Sequence, residues 1–428
     1  MGPYIPMILT FILLILGIPV AVSFFSGAII YFTFFCRDLT ITTLIQKMLT
    51  SGMSFTFLAV PFFVTAGVVM NYAGISDRVM GFCNNLVGHK RGGLAYVNVL
   101  LSTLNGGICG SAGADAANDC KILVPQMVKR GYSPAFSAGV SAASALISPI
   151  IPPGAGLILY ASMTGTSVVK MYYAGYIPGI LLCIGMCLTV AIIARVRHFT
   201  PDRESRATLK EILQSLKESW LSLMMPLVLI VGIRTGWFTP TEGGLVLISM
   251  CALIGAFAYK EIKPCHIKPI LVESFSSMAN VSLIIVSAVI FGTYLSWERI
   301  PQNLAAYLIS ITDSPGMFLL LANLLVFVMG MFLDGTAVLM IATPLLFPAA
   351  QSYGIDPIQF GIIMIVNMSV GGLTPPFGGV MYLCCHMCNV EIPDFLKHTW
   401  PFIVCLLIVL VLVTCFPIIS TLGPDLLY

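Results

Sequence analysis

Apolar segments long enough to cross a bilayer follow one another along almost the whole chain, and this limits the fold more than any motif does. A membrane-spanning helix needs roughly 20 predominantly apolar residues. Inside a bilayer the backbone must satisfy its own polar groups, which leaves helix bundles or closed barrels. The segments here are continuously apolar and rich in Leu, Ile, Met and Ala. The sequence therefore predicts an all-α polytopic membrane protein.

Composition excludes several other classes of protein. Hydrophobic residues make up 58% of the chain and charged residues 9%, with a mean hydropathy of +0.98, whereas soluble domains carry about 25% charged residues. The dispersed net charge of +3 predicts no nucleic-acid partner. The "CCHMC" stretch at 384–388 lies in an apolar segment, so we expect no metal site there. Without a basic leader region, we expect the mature protein to begin at Met1.

An internal repeat relates the two halves of the chain without a gap. Each residue of the first half is compared with a residue of the second half at one constant separation in sequence, that between Pro125 and Pro348, which we call the repeat offset. The matched residues are prolines and glycines, which set backbone geometry, so the halves share a pattern of helix breaks. The seven matched pairs, which define the repeat offset, are Pro125 and Pro348, Gly131 and Gly354, Pro134 and Pro357, Pro152 and Pro375, Pro153 and Pro376, Gly156 and Gly379, and Pro178 and Pro401.

The charges of equivalent loops indicate that the repeat is inverted, because cytoplasmic loops carry an excess of Lys and Arg. Residues 77–91, taken as a loop, sum to +2, against −1 for 300–314. Residues 121–133 sum to +3, against −1 for 344–356. The stretch 195–217 is the most basic of the chain, and its counterpart past 418 has no Lys or Arg. Equivalent loops are therefore predicted on opposite sides of the membrane.

Two re-entrant helical hairpins reconcile this sidedness with the short spacing between basic loops. Their tips are predicted near "NGGICGSAGAD" (105–115) and "MFLDGTA" (331–337), and segments 3–35 and 220–259 each read as a pair of short spans. The predicted domains are the first inverted repeat 1–194 (scaffold 1–91, hairpin 92–120, broken helix 134–168), the basic cytoplasmic connection 195–219, and the second inverted repeat 220–428 (scaffold 220–314, hairpin 316–343, broken helix 358–391).

The two Pro-Pro pairs predict helices that are broken within the membrane. Proline cannot complete the hydrogen bond to the carbonyl four residues back, and a free carbonyl at bilayer depth is costly unless it meets a partner. Discontinuous helices in inverted repeats are typical of transporter sites, where unwound carbonyls coordinate Na⁺. The carbonyls predicted to be freed are those of Ser148 and Pro149 (by Pro152 and Pro153) and of Gly371 and Gly372 (by Pro375 and Pro376).

Acidic residues near the tips are candidates for the same site. Asp334 lies in the second tip, where an ionisable residue inside the membrane indicates function. Asp115 and Asp119 lie one helical turn apart beyond the first tip, and Asp119, near Lys121, is expected close to water. Acidic residues at helix starts also serve as caps, so this alternative stays open. Polar residues proposed as tip ligands are Asn105, Ser111 and Thr336.

These motifs resemble the large membrane subunit of tripartite ATP-independent periplasmic (TRAP) transporters, of the DctM type, over nearly the full length of the chain. The stretches that carry the resemblance are "VPFFVTAGVVMNYAGISDRV" (60–79), "GHKRGGLAYVNVL" (88–100), "GSAGADAA" (110–117), "ISPIIPPG" (147–154), "FLDGTAVLMIATPLLFP" (332–348) and "GLTPPFG" (372–378).

The resemblance implies an elevator-type secondary transporter in the bacterial inner membrane, driven by a Na⁺ gradient. It further implies a small four-helix membrane subunit on a separate chain, a periplasmic substrate-binding protein, a carboxylated organic acid as substrate, and no cofactor beyond Na⁺ as the coupling ion. By motif match, the sodium-binding residues are Gly110, Ser111, Ser148, Pro149, Asp334, Gly335, Thr336, Gly371, Gly372 and Thr374. The substrate cavity is expected at Asn105, Asp115, Pro152, Pro153, Gly154, Pro375 and Pro376.

One departure concerns the substrate. Many members of the family have Ser after the first Pro-Pro, whereas this chain has "PPGAG", and the missing hydroxyl leaves the identity of the acid open. The membrane partners are expected to pack on the predicted scaffold, including the amphipathic connections 36–50 and 206–220, with lipid around the rest.

Other classes of membrane protein fit the sequence less well. A stand-alone Na⁺/organic-anion symporter of related architecture is the nearest alternative. An enzyme would need a nucleophile or metal motif, and the chain has no HExxH or GxSxG. An ATP-driven pump would need a Walker A loop, which is also missing. A channel could share the inverted repeat, but its flux would not saturate.

Overall fold

The computed structural model describes residues 4–36, 41–53, 55–203, 205–311 and 314–427. These residues are mostly helical, and seven of the helices are long and apolar enough to cross a membrane. The prediction of an all-α multi-pass membrane protein is confirmed. The helices are α1 (Ile5–Ile15), α2 (Val20–Ile30), α3 (Ile41–Gly52), α4 (Phe55–Tyr72), α5 (Ile75–Val87), α6 (Gly93–Gly106), α7 (Ala112–Lys129), α8 (Pro134–Ala145), α9 (Ala155–Thr164), α10 (Val168–Val196), α11 (Leu209–Arg234), α12 (Pro240–Leu253), α13 (Pro264–Trp297), α14 (Ile300–Ile311), α15 (Pro315–Phe332), α16 (Gly335–Ser352), α17 (Pro357–Gly372), α18 (Gly379–Cys388), α19 (Ile392–Cys415) and α20 (Ile418–Leu427).

Helix boundaries follow the repeat offset found in the sequence. Helices α7 and α16 begin at Ala112 and Gly335, which differ by the repeat offset, and their last residues differ by the same offset. Helices α8 and α17 begin at Pro134 and Pro357, which are one of the matched pairs. Each is followed by a break of at least six residues and then by a ten-residue helix, α9 or α18. The two Pro-Pro pairs lie in these breaks.

Helices α7 and α16 both extend past the predicted ends of the hairpins. Helix α7 continues to Lys129, past residue 120, and α16 continues to Ser352, past residue 343. The charge comparison treated the residues that follow, 121–133 and 344–356, as loops. Helix α7 nevertheless continues through Pro125, and α16 continues through Pro344 and Pro348.

Four segments that were compared as loops are largely helical, because α7 also covers most of 121–133 and α16 most of 344–356. Residues 77–91 are mostly in α5, and 300–314 are mostly in α14, whose following residues 312 and 313 lie outside the described part. Helix α5 bends from α4 by 72° at a break near Ala73 and Gly74. Gly74 adopts a positive φ of 66°, which glycine tolerates without strain.

In the described residues of the basic connection predicted over 195–219, a loop is followed by a helix. Helix α11 begins at Leu209, where Thr208 and Glu211 form a reciprocal capping box. In the loop, the Asp202 carboxylate accepts a 2.7 Å bond from the Leu94 backbone N–H and a 2.8 Å bond from the Tyr132 hydroxyl. The loop is therefore hydrogen-bonded both to the first turn of α6 and to the residues between α7 and α8. Of the other amphipathic connection, 36–50, residues 37–40 lie outside the described part and α3 covers the rest from Ile41.

The helices pack in two groups that meet at the hairpin tips. In one group, α4 packs on α12 and α13, and α13 packs on α2. In the other group, α6 and α7 pack on α8, while α15 and α16 pack on α17. Contacts also cross between the halves of the chain, because α7 packs on α18 and α16 packs on α9. Both tips and both breaks are thereby brought to one place.

Candidate functional site

The first hairpin tip lies against the first helix break. Gly110 adopts a positive φ of 61°, and a Cβ added there would lie 2.7 Å from the Pro153 carbonyl oxygen. The backbone N–H of Ala155 donates to the Gly110 carbonyl at 3.4 Å. Glycine at position 110 is therefore needed both for its conformation and for the close approach of the break.

The second tip meets the second break in the same manner. The Phe377 backbone N–H donates to the Met331 carbonyl at 3.0 Å. Gly330 and Gly371 bring α15 and α17 into backbone contact, because a Cβ added at Gly371 would lie 2.5 Å from the Gly330 Cα. At the tip itself, the Asp334 carboxylate accepts a 3.0 Å bond from the Thr336 backbone N–H and caps α16.

A cavity of about 250 Å³ lies between the two tips and the two breaks. Four helices begin at its wall: the first residues of α7, α9, α16 and α18 (Ala112, Ala155, Gly335 and Gly379) all line it. The opposite wall is apolar and comes from the other packing group, with Val60 and Val64 on α4 and Val281 on α13.

Convergent helix N-termini contribute partial positive charge to the cavity. The first N–H groups of a helix have no partner within it, and the helix dipole places partial positive charge at this end. Three of the four helices have no side-chain cap, because Ser111, Gly154 and Gly378 at their N-cap positions make no capping bond. Only α16 is capped, by Asp334. The arrangement can bind an anionic group such as a carboxylate.

The carbonyls at the breaks are only partly free. Among the described residues, no backbone N–H donates to the carbonyls of Ser148 and Pro149. At the second break the expectation for Gly371 is corrected, because its carbonyl accepts a 2.9 Å bond from the Thr374 N–H in a tightened last turn. The Thr374 hydroxyl donates at 2.8 Å to the Val370 carbonyl.

Most of the predicted sodium-binding residues come together. Seven of the ten line the cavity: Gly110, Ser111, Pro149, Asp334, Gly335, Thr336 and Gly372. The other three, Ser148, Gly371 and Thr374, lie at the two breaks behind the wall.

The residues predicted for the substrate cavity lie behind its wall, near the first tip and in the two breaks. None of them lines the 250 Å³ cavity: Asn105, Asp115, Pro152, Pro153, Gly154, Pro375 and Pro376. Asn105 and Asp115 are buried behind the first tip, where the Ser148 hydroxyl donates to Asp115 at 2.8 Å. Cavity residues that the prediction missed include Ser369 and Met368, one turn before the second break. In the sequence, the only indication that these residues line the cavity is that they lie about one helical turn before Gly372.

The tip aspartates differ in exposure. Asp334 is exposed and faces the cavity, whereas Asp115 is 2% exposed and Asp119 is fully buried. The expectation that Asp119 lies close to water is therefore wrong. Lys121 is exposed two residues later, but α7 turns Asp119 inward toward α6 and α8.

Solved structures place this fold among membrane transporters. The YdaH transporter of Alcanivorax borkumensis superimposes with a TM-score of 0.62 at 15% identity, covering 88% of each chain. MtrF of Neisseria gonorrhoeae, described among antimetabolite efflux pumps, gives 0.61 at 12% identity and covers 96% of this chain and 94% of its own. At this identity the likeness concerns the fold alone.

Sequence relatives define the family. The chain matches the DctM component of tripartite ATP-independent periplasmic transporters over residues 7–419. It is 37% identical to the sialic acid TRAP transporter large permease protein SiaM of Vibrio cholerae, over 97% of this chain and 96% of that protein. It is 34% identical to the C4-dicarboxylate large permease protein DctM of Pseudomonas aeruginosa, over 90% of both.

The chain therefore belongs to the DctM family of TRAP transporter large permease subunits. It is a permease subunit of a secondary transporter and not an enzyme, and the resemblance noted from the motifs is confirmed.

Proposed function

We propose that this chain is the permease subunit of a Na⁺-coupled transporter that imports a carboxylated organic acid. The observation that carries the proposal is the cavity at which four helices begin, three of them without a side-chain cap. Such a cavity attracts a carboxylate through backbone N–H groups and helix dipoles, and it requires no basic side chain.

Oxygen atoms suited to Na⁺ lie at the edge of the same cavity. They are the Asp334 carboxylate, the Ser111 and Thr336 hydroxyls and the Pro149 carbonyl, and the Ser148 carbonyl lies behind them at the first break. Unwound carbonyls beside a broken helix are the usual Na⁺ ligands in such transporters. Na⁺ bound beside Asp334 would offset the negative charge that otherwise repels an anionic substrate. No cofactor other than this coupling ion enters the proposal.

Relatives support the substrate class without selecting one acid. Their names specify sialic acid, C4-dicarboxylate and, for YiaN of Escherichia coli, 2,3-diketo-L-gulonate. All three are carboxylated, so the shared group is the one that the helix N-termini suit. The family description names a tripartite periplasmic transporter, which supports two partner components. The proposed partners are a small four-helix membrane subunit and a periplasmic binding protein, with the complex in the bacterial inner membrane.

Transport would proceed by an elevator motion of an inverted repeat. The hairpins and broken helices would move as one body, because α7 packs on α18 and α16 on α9 across the halves. They would slide along the apolar wall of Val60, Val64 and Val281, which offers no hydrogen bonds to break.

The test is uptake into proteoliposomes that hold this chain and its small membrane subunit, with the binding protein outside. A panel of sialic acid, a C4-dicarboxylate and 2,3-diketo-L-gulonate is presented under an inward Na⁺ or K⁺ gradient. We expect saturable uptake of at least one acid with Na⁺ only, and no competition by its amide. Equal uptake with K⁺ would refute sodium coupling. Uptake without the binding protein and small subunit would favour the stand-alone symporter.

A further inference from the structure

A second cavity, of about 450 Å³, lies beyond the first cavity, the one of about 250 Å³ between the tips and breaks. Phe57 on α4 and Gly292 on α13 line it from one packing group of helices, and Met340 on α16 lines it from the other. Helix α9 contributes Ser162, and α3, which packs on α13, contributes Lys47. The second cavity thus lies where α9 and α16 face α3, α4 and α13.

Three helices, α4, α9 and α16, line both cavities. On each of them, a residue that lines the first cavity is followed about one helical turn away by a residue that lines the second. These pairs are Val60 and Phe57 on α4, Leu159 and Ser162 on α9, and Thr336 and Met340 on α16. Because one turn of helix rises only about 5.4 Å, the second cavity continues the first along the same helices.

The second cavity lies toward the side of the membrane that the charge comparison predicts as periplasmic. It is lined by Pro344 on α16 and by Trp297, the last residue of α13. These residues adjoin segments 344–356 and 300–314, which are acidic, whereas their counterparts in the first half are basic and therefore predicted as cytoplasmic. The second cavity is thus placed between the first cavity and the predicted periplasmic side.

Lys47 is the one basic side chain among the described residues that line either cavity. It is exposed and forms no ion pair with another described residue, and no carboxylate in that part of the protein lines the second cavity. The hydroxyls of Ser162 and Thr293 donate to carbonyls of their own helices. A cation that lines a cleft raises the local concentration of anions and speeds their association.

This positive charge has no counterpart in the second half of the chain. Helices α3 and α13 begin at Ile41 and Pro264, which differ by the repeat offset. At the same offset, Lys47 corresponds to Ile270, which is apolar. The basic residue is therefore present at only one of two equivalent places, as suits import in one direction.

We propose that the second cavity is the periplasmic entrance to the first cavity and that Lys47 binds the carboxylate of the incoming acid there. This inference rests on the proposed function, because it concerns the same substrate. From Lys47 the acid would move about two turns along α9, from Ser162 to Ala155, where an uncapped helix begins. Lysine suits such a transient contact, because its ammonium is strongly hydrated and does not form the bidentate pair that arginine forms.

The first experiment measures the charge of the second cavity with two thiol reagents and needs neither uptake nor a known substrate. The variant Gly292→Cys places a thiol on the cavity wall, where an added Cβ would meet no atom within 4 Å. The purified full-length chain reacts at low ionic strength with an anionic (sulfonate) and a cationic (ammonium) methanethiosulfonate, and peptide mass spectrometry gives the rate at each thiol. Native Cys265, exposed and roughly 40 Å away along α13, is the control in the same sample.

In this background we expect Lys47→Gln to lower the ratio of the anionic to the cationic rate at the introduced thiol about fivefold, because loss of one nearby charge slows one reagent and speeds the other. Lys47→Arg should keep the ratio, and the ratio at Cys265 should be the same in all variants. High salt should weaken the effect. An unchanged ratio in Lys47→Gln would overturn the role of Lys47.

The second experiment is uptake into the proteoliposomes described above. Lys47→Gln should raise the KM for the transported acid several-fold, and Lys47→Arg should restore it. Treatment of Gly292→Cys with the sulfonate from outside should slow uptake more than the same treatment of wild type, because the added group narrows the entrance.

These uptake results separate the two proposals. An unchanged KM in Lys47→Gln would refute binding of the carboxylate at Lys47, and equal slowing of Gly292→Cys and wild type would refute the entrance. Absence of Na⁺-dependent uptake in wild type would instead refute the proposed function, and the thiol rates would then decide the role of Lys47 by themselves.

Discussion

Substitution of Gly371 by Ala tests the backbone contact that joins the second tip to the second break. A Cβ at this position would lie 2.5 Å from the Gly330 Cα and 2.6 Å from its carbonyl carbon, where ordinary contacts are 3.4–4 Å. Both atoms belong to the backbone, so no side chain can rotate away. Helices α15 and α17 would have to separate by about 1 Å, and overpacking of this kind costs about 1–3 kcal/mol.

The adjacent variant Gly372→Ala is the matched control. A Cβ there would meet Val380 at 3.8 Å and Leu146 at 3.9 Å, which are ordinary contacts. Both substitutions exchange glycine for a better helix former, worth at most about 1 kcal/mol, so this term largely cancels between them. We therefore expect Gly371→Ala to be the less stable variant by about 1–3 kcal/mol.

The assay is thermal unfolding of wild type and the two variants in one detergent and one salt. Scan rates are kept equal, because unfolding of large proteins is often irreversible. Gly371→Ala should melt below wild type, and Gly372→Ala at or above it. If Gly371→Ala melted at the same temperature as Gly372→Ala or higher, the close approach of α15 and α17 would be wrong.

Three further predictions concern the ion site, the motion and the loop. Asp334→Asn keeps the helix cap but loses the charge, so Na⁺ should stabilise this variant less than wild type, while its melting temperature in choline chloride is unchanged. The control is Asp356→Asn, at the cap of α17 away from the cavity, whose melting temperature should rise with Na⁺ as that of wild type does. Gly67→Cys places its Cβ 3.4 Å from that of Cys109, which is near the distance found in a disulfide. Oxidation should therefore stop uptake by this variant and reduction should restore it, whereas uptake by Gly67→Ser should not change with oxidation or reduction. Tyr132→Phe removes the bond to the Asp202 carboxylate and should lower stability by about 1.5 kcal/mol in thermal unfolding.

Each of these has a contradicting result. Full sodium stabilisation in Asp334→Asn would remove that carboxylate from the ion site. Full uptake by cross-linked Gly67→Cys protein would exclude sliding of the first tip along α4. Unchanged unfolding of Tyr132→Phe would mean that the bond contributes nothing, although burial and then the Asp202 bond raise the pKa of Tyr132 and mark its hydroxyl as a donor.

Much of the architecture could be predicted because proline and glycine act locally. The paired prolines that begin at Pro152 and Pro375 lie in helix breaks, whereas single prolines such as Pro125 stay inside helices, and the match at the repeat offset then locates the second break from the first. The sequence likewise predicted a pair of short helices over 3–35, and in the structure α1 and α2 are separated at Gly17, whose φ is 79°. Helix ends such as Lys129 were missed because a polar, proline-containing segment can still be helical when its neighbours cover it.

The cavity itself depends on packing between the halves, which no local pattern reports. That Ala112 and Gly379 begin helices at one cavity follows from the contact of α7 with α18, two helices that lie in different halves of the chain. Packing also explains why Asp119, which the sequence places beside Lys121, is buried, since its carboxylate accepts a hydrogen bond from Ser102 on α6.

The central claim is that this cavity binds Na⁺ in the folded protein, and thermal unfolding tests it most directly. The chain, in complex with its small membrane subunit, is melted in NaCl, KCl and choline chloride at equal ionic strength. A ligand present at a hundred times its dissociation constant stabilises the native state by about 2.7 kcal/mol. We predict a rise in melting temperature that is specific to NaCl. Equal melting in all three salts would contradict the claim.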